Sequence, residues 1–240
     1  RRFGKRPAAP NANANARPQQ RPQPQQNFSE PPAPMPAPKP RELTAEIAAA
    51  IPLSAFTELG LQPTLVRAVL EEGYVTPSPV QKEVIPPALA GRDVLACAQT
   101  GTGKTAGFVL PMIQHLAQAT QGKSGTGIRG LVLCPTRELA IQIAERITAY
   151  GLHLGLRHAV IYGGVNQKRQ EVALRGNPDI IVATPGRLLD LLQQNLLSLK
   201  NVTHFVLDEA DRMLDMGFVH DVRRVVSYLA SGAGATPRCG

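Results

Sequence analysis

Cysteine is scarce in this chain, with Cys97, Cys134 and Cys239 the whole complement of 240 residues. An odd count whose spacing suits no metal argues against a disulfide framework or a zinc cluster. Cys97 and Cys134 close the apolar runs "DVLAC" and "LVLC", where cysteine usually serves as a small buried hydrophobe. This usage suits a reducing compartment, so a cytoplasmic location is expected. No apolar run reaches the length of a membrane span, and the first residues lack the apolar core of a secretion signal. Internal repeats are missing as well, and the low-complexity "NANANA" is confined to the N-terminal region.

Proline is plentiful but unevenly placed. Of 22 prolines, 11 fall in residues 1–40, together with Gln19, Gln20, Gln23, Gln25 and Gln26 and almost no branched aliphatics. Such a composition buries too little apolar surface to offset its ordering entropy, so residues 1–50 are expected to form a disordered arm. The same arm holds most of the charge. Its first 40 residues carry seven Lys/Arg against one Glu, leaving the remainder with 19 basic and 17 acidic residues out of a formal net charge of +8. The globular part is nearly neutral. A basic arm of this kind either binds RNA weakly through counterion release or keeps the protein soluble.

Beyond the arm, "LSAFTELGLQPTLVRAVLEEGY" spaces its apolar residues as a helix and ends at Gly73. Short apolar runs then alternate with amphipathic ones. Strands are expected at 93–97, 130–134, 159–162, 180–183 and 204–207, and helices at 104–119, 137–150, 165–175, 185–194 and 217–229. This alternation, with strands too apolar to have a wet face, predicts an α/β fold: a parallel sheet flanked by helices on both faces. Ligands of such sheets sit at the carboxyl ends of the strands.

The loop Ala98-Gln99-Thr100-Gly101-Thr102-Gly103-Lys104-Thr105 joins the first expected strand to a helix. Its glycines bring backbone N–H groups close to phosphate oxygens, Lys104 reaches the β- and γ-phosphates, and Thr105 offers a hydroxyl to Mg²⁺. Ala98 stands where a phosphate loop usually begins with Gly. In "HFVLDEADRML", Asp208 and Glu209 leave the end of an apolar strand, where the first carboxylate can hold Mg²⁺ in part through water and the second can activate a water molecule. The catalytic set expected is Lys104, Asp208 and Glu209, with Thr105 and Asp208 at the metal.

With Asp208-Glu209-Ala210-Asp211, the sequence resembles the DEAD-box family of ATP-dependent RNA helicases over residues 52–230. "GYVTPSPVQ", preceded by Phe56, resembles that family's adenine-reading Q motif. The resemblance implies that Gln81 bonds the adenine edge while Tyr74 and Phe56 supply aromatic contact. It further implies RNA contact from Pro135, Thr136 and Arg137 of "PTRELA", from Gly163 and Gly164, and from Thr184, Pro185, Gly186 and Arg187 of "TPGR". The same residue types also make ordinary helix caps and turns. Backbone contacts of this sort imply sequence-independent RNA binding.

The resemblance organises the chain as a Q-motif segment at 51–82 and a RecA-like ATP-binding domain at 83–230, using ATP and Mg²⁺. The family places a Ser-Ala-Thr motif, which contacts Asp211 and couples hydrolysis to unwinding, on another apolar strand beyond "LDMGF". Here the chain runs "SYLASGAGATPRCG", so residues 231–240 are expected to form a divergent tail. A second RecA-like domain, with its arginine fingers, is expected to be absent from this chain, leaving weak activity at most. Two other readings stay open: a catalytically idle ATP- and RNA-binding unit, and a different P-loop ATPase.

Overall fold

A computed structural model describes residues 43–99, 101–119, 127–230 and 238–239; residues 1–42 of the expected arm and most of the expected tail lie outside these residues, and the end of the arm, expected to be disordered, holds a helix at Ala45–Ala50. The helix expected from Leu53 onward is broken into two short pieces, preceded by a further short helix within the expected arm. Helices α1 (Ala45–Ala50) and α2 (Ala55–Glu58) flank a 3₁₀ turn at Ile51–Leu53, and α3 (Pro63–Glu71) starts anew. Gly60, with φ of +91°, takes the chain out of helical geometry between α2 and α3. Helix α4 (Pro79–Leu89) begins with a capping box: Ser78 Oγ accepts from Gln81 N–H, and the Gln81 amide oxygen accepts from Ser78 N–H.

Thereafter the alternation is regular: α5 (Lys104–Ala119), β1 (Gly130–Leu133), α6 (Arg137–Tyr150), β2 (His158–Ile161), α7 (Gln167–Arg175), β3 (Ile180–Ala183), α8 (Pro185–Gln193) and β4 (His204–Leu207). Helices α9 (Ala210–Asp215) and α10 (Val219–Ala230) and a short β5 (Arg238–Cys239) complete it. The strands run parallel in the order β2-β3-β1-β4-β5. Register places Ile161, Ala183, Leu133 and Leu207 in one row at the carboxyl ends. All the turns that follow these strands therefore emerge along one edge.

Two cores hold the layers. Val132, Ile180, Val182 and Val206 face one way, against α3, α4, α5 and α6. The alternating residues Leu131, Leu133, Ile181, Ala183 and Phe205 face the other way, against α8 and α10. Each fully buried aliphatic side chain contributes about 1.5–3 kcal/mol, which is why the strands are apolar on both faces. One buried ion pair pins the amino ends of the strands: Arg129 bonds Asp179 Oδ1 at 2.7 Å and Leu116 O at 2.7 Å, while Asp179 Oδ2 accepts from Arg157 N–H at 3.0 Å.

Several expectations are corrected. Residues 93–97 are not a strand. They pair with no described strand, and Leu95 is 94% exposed. The side of β4 away from β1 carries Arg238–Cys239 instead. Cys97 is accordingly exposed, against the expectation of a buried hydrophobe, whereas Cys134 is buried as expected. Strand β2 begins and ends one residue earlier than its apolar pattern indicates. Helix α7 starts at Gln167 because Asn166 caps it by accepting from Lys168 N–H. Helix α9 escaped the reading because it is six residues long, too short for a periodic pattern.

Candidate functional site

The phosphate loop lies against the start of α4. Thr102 Oγ1 donates to Gln99 O at 2.8 Å, and the Lys104 ammonium folds back to donate to Ala98 O. Gly103 has φ of +89°, and a Cβ there would meet Gln81 Nε2 at 2.5 Å, so the position excludes any side chain. Thr100 lies outside the described residues. Across from the loop, Asp208 follows β4, its N–H donating to Leu133 O at 2.9 Å. Glu209 takes the left-handed conformation at φ +51°, a strained geometry of the kind that collects at functional sites. The turn aims two successive carboxylates differently. Asp208 Oδ1 accepts from Glu209 N–H at 3.0 Å, and Glu209 Oε2 pairs with Arg212 at 3.1 Å.

Ala98, Lys104, Asp208, Glu209 and Asp211 share the lining of one cavity of about 390 Å³. Burial pushes the Asp208 carboxyl above its ordinary range; the Glu209 N–H and the Lys104 charge oppose this, and the charges of Glu209 and Asp211 reinforce it. A carboxylate crowded by two others with one nearby ammonium is short of positive charge, which fits a cation. Among the described residues no group of three or more His, Cys, Asp or Glu side chains is placed to hold a metal ion by itself.

The deeper wall holds a pair that no motif indicates. His115 Nε2 lies 3.0 Å from Leu89 O and must donate to it, so in the neutral pair His115 Nδ1 accepts from His204 Nε2 at 3.0 Å. Both imidazoles line the cavity. A lone histidine in an amphipathic helix and another opening a strand carry no sequence signal of their meeting.

The Q-motif residues do not gather as expected. Gln81 is 4% exposed, and its amide joins α4 to the phosphate loop by accepting from Ser78 N–H at 2.9 Å and donating to Gly103 O at 3.1 Å. Phe56 is 1% exposed within the core, so it presents no ring to the cavity. Tyr74 is hydrogen-bonded to Tyr150 at the far end of α6. Neither aromatic is among the residues that line the cavity.

The remaining motifs do converge. Pro135 and Thr136 follow β1, Gly163 and Gly164 follow β2 by one residue, and Thr184 through Arg187 follow β3; these are three adjacent strands. Thr136 caps α6 by accepting from Leu139 N–H at 3.3 Å, whereas the Thr184 hydroxyl makes no capping bond. Arg137 lies over the Tyr162 ring, 5.0 Å from its centroid. Arg187, expected to add charge toward RNA, instead turns to Val165 O at 3.4 Å and Asp190 at 3.8 Å. Gly163 and Gly164 are exposed, and a Cβ on Gly163, Gly164 or Gly186 would meet nothing within 4 Å.

A phosphate loop and a strand-end carboxylate pair facing one cavity at the carboxyl edge of a parallel sheet define a P-loop nucleotide-binding domain. The model of the DEAD/DEAH box helicases matches residues 78–238, and the chain belongs to that family. It is 45% identical over 179 residues to the DEAD-box ATP-dependent RNA helicase RhpA of Helicobacter pylori, covering 75% of this chain and 35% of that protein. It is 46% identical over 180 residues to the ATP-dependent RNA helicase DeaD of Escherichia coli, covering 75% of this chain and 28% of that protein. The crystal structure of a DEAD box protein from Methanococcus jannaschii matches with a TM-score of 0.66 and 41% identity, over 72% of this chain and 46% of that one. The chain thus spans about a third of the length of these curated relatives, and its sheet is the RecA-like one of the family.

Proposed function

We propose that this chain supplies the ATP-binding RecA-like domain of an ATP-dependent RNA helicase that binds RNA by its backbone and opens or remodels short duplexes. The observation that carries the reading is the placement of Lys104, Asp208 and Glu209 on one cavity, on the same carboxyl edge of the sheet as the exposed Gly163–Gly164 turn, with the ends of β1 and β3 between them. Loop N–H groups from Gln99 to Thr105 and the Lys104 ammonium suit a triphosphate, once Lys104 leaves the Ala98 carbonyl. Thr105 and Asp208 would hold Mg²⁺, which supplies charge neutralisation at the phosphates. Glu209 orients the attacking water and takes its proton. Gln81, with one N–H and one oxygen lone pair still uncommitted, is the group suited to the adenine edge. Asp211, exposed beside the cavity, suits contact with a further domain.

The RNA surface is the edge made by the turns after β1, β2 and β3. Among the described residues nothing requires glycine at Gly163, since a Cβ would stand in open space and its φ is not positive. Close approach of a ligand backbone does require it. In full-length protein, Glu209→Gln should keep ATP binding and lower RNA-stimulated turnover by about 10²-fold or more. Unchanged turnover would remove Glu209 from the mechanism. Gln81→Ala should erode the preference for ATP over GTP, and an unaltered preference would point to a P-loop ATPase that reads its base elsewhere.

A further inference from the structure

We propose that Tyr162 and Gln170, which belong to none of the motifs, are positioning residues for the RNA edge, setting the Gly163 N–H from one side and the Arg137 guanidinium from the other. The inference rests on the RNA reading of that edge. Gln170 is the buried residue of α7, 5% exposed, and its Nε2 donates to Tyr162 O at 2.7 Å. A carbonyl only accepts, so the amide nitrogen must face it. In a trans peptide the C=O of one residue and the N–H of the next point in opposite directions. Tying the Tyr162 carbonyl inward to Gln170 therefore turns the Gly163 N–H outward. Gly163 is exposed, and among the described residues no backbone or side-chain group accepts from that N–H.

The cost of this anchor shows on the same side chain. Gln170 Oε1 is buried and has no partner among the described residues. A leucine there would leave the Tyr162 carbonyl without its donor, so the amide is kept for that bond although its own oxygen goes unpaired. The Tyr162 ring, 9% exposed, lies under Arg137. Stacking through the ring face holds a guanidinium flat and leaves its in-plane N–H groups at the rim, where a phosphodiester oxygen can meet them. Arg187 ties the other end of the turn through Val165 O. One residue, Tyr162, thus aligns two donors contributed by different strand ends.

The test uses this chain and a fluorescent single-stranded RNA at low salt, with MgATP affinity and thermal melting measured beside it. Tyr162→Phe, which keeps the ring, should bind RNA as the wild type does. Tyr162→Leu should weaken RNA binding about tenfold, and the Tyr162→Leu/Arg137→Ala pair should be no weaker than Arg137→Ala alone. Gln170→Leu should lower RNA affinity severalfold while MgATP affinity holds, with a fall of a few degrees in melting temperature from the carbonyl left without its donor. Wild-type RNA affinity in both leucine variants, additive losses in the double variant, or parallel losses of RNA and MgATP binding would overturn the positioning role. An absence of RNA binding by the wild-type chain would overturn the RNA reading itself, and this role with it.

Discussion

Single residues separate what the chain needs for folding from what it needs for a ligand. Gly163 is the clearest case. Its φ is ordinary and its missing Cβ would touch nothing, so Gly163→Ala should leave stability within about 0.5 kcal/mol while weakening RNA binding. A urea titration and an RNA titration on one preparation check this, and an unaltered RNA affinity would contradict it. Cysteine gives a second contrast. Cys97 is exposed, whereas burial, reinforced by the charges of Asp208 and Glu209, pushes the Cys134 thiol up to about 12. In a Cys239→Ser background, iodoacetamide at pH 8 should label Cys97 within minutes and spare Cys134 in the folded protein, as mass spectrometry would show. The sequence places these two cysteines in matching apolar runs. Only the pairing of one run into the sheet distinguishes them, and pairing is not a local property.

At the level of elements, the strands that became β1, β3 and β4 are legible because both their faces are buried and leave uninterrupted apolar runs. The run at 93–97 has the same look but pairs with no strand among the described residues, a difference composition cannot register. Capping fixes the starts of α4, α6 and α7 locally, since Ser78, Thr136 and Asn166 act within three residues of themselves, yet of these three only the α6 start at Arg137 matches the expectation: α7 is expected from 165 and no helix is expected at 79–89. Long-range polar links are illegible for the opposite reason. Arg129 and Asp179 lie fifty positions apart, and Asp179→Ala should cost about 3–5 kcal/mol in chemical denaturation by leaving a buried guanidinium unpaired. Glu71 ties α3 to His153 beyond α6. Burial raises its carboxyl, but hydrogen bonds from Arg67 and His153, with their charges, outweigh that and hold it below its ordinary value of 4.5. The folded state therefore releases this proton more readily than the unfolded one. The resulting stability is present above pH 4.5 and drains away as pH falls through the lower folded value. The stability gap between wild type and Glu71→Gln should shrink across that acidic window; a constant gap would contradict the assignment.

In the whole molecule, the sheet order gathers the phosphate loop's partner carboxylates and the three motif turns on one edge, so ATP and RNA would meet neighbouring strand ends of a single rigid layer. The motifs were legible individually, because each follows an apolar run and carries a chemistry suited to a helix start. Their enforcement was not: the Gln81 link to Gly103, the Arg137–Tyr162 stack and the His115–His204 pair all join residues far apart in the chain. The chain's reach over about a third of its curated relatives leaves duplex opening to be tested in longer protein, whereas the proposed nucleotide site is built from residues of this chain. The most direct test is the affinity of this chain for ATP, by calorimetry with Mg²⁺ and with EDTA, in the wild type, Lys104→Ala and Asp208→Asn. Wild type should bind ATP more tightly with Mg²⁺. Lys104→Ala should lose about tenfold or more in affinity, and Asp208→Asn should lose the Mg²⁺ dependence. Equal affinity in wild type and Lys104→Ala, or a Mg²⁺ effect that survives Asp208→Asn, would contradict a single ATP·Mg²⁺ site built from the loop and the strand-end carboxylates.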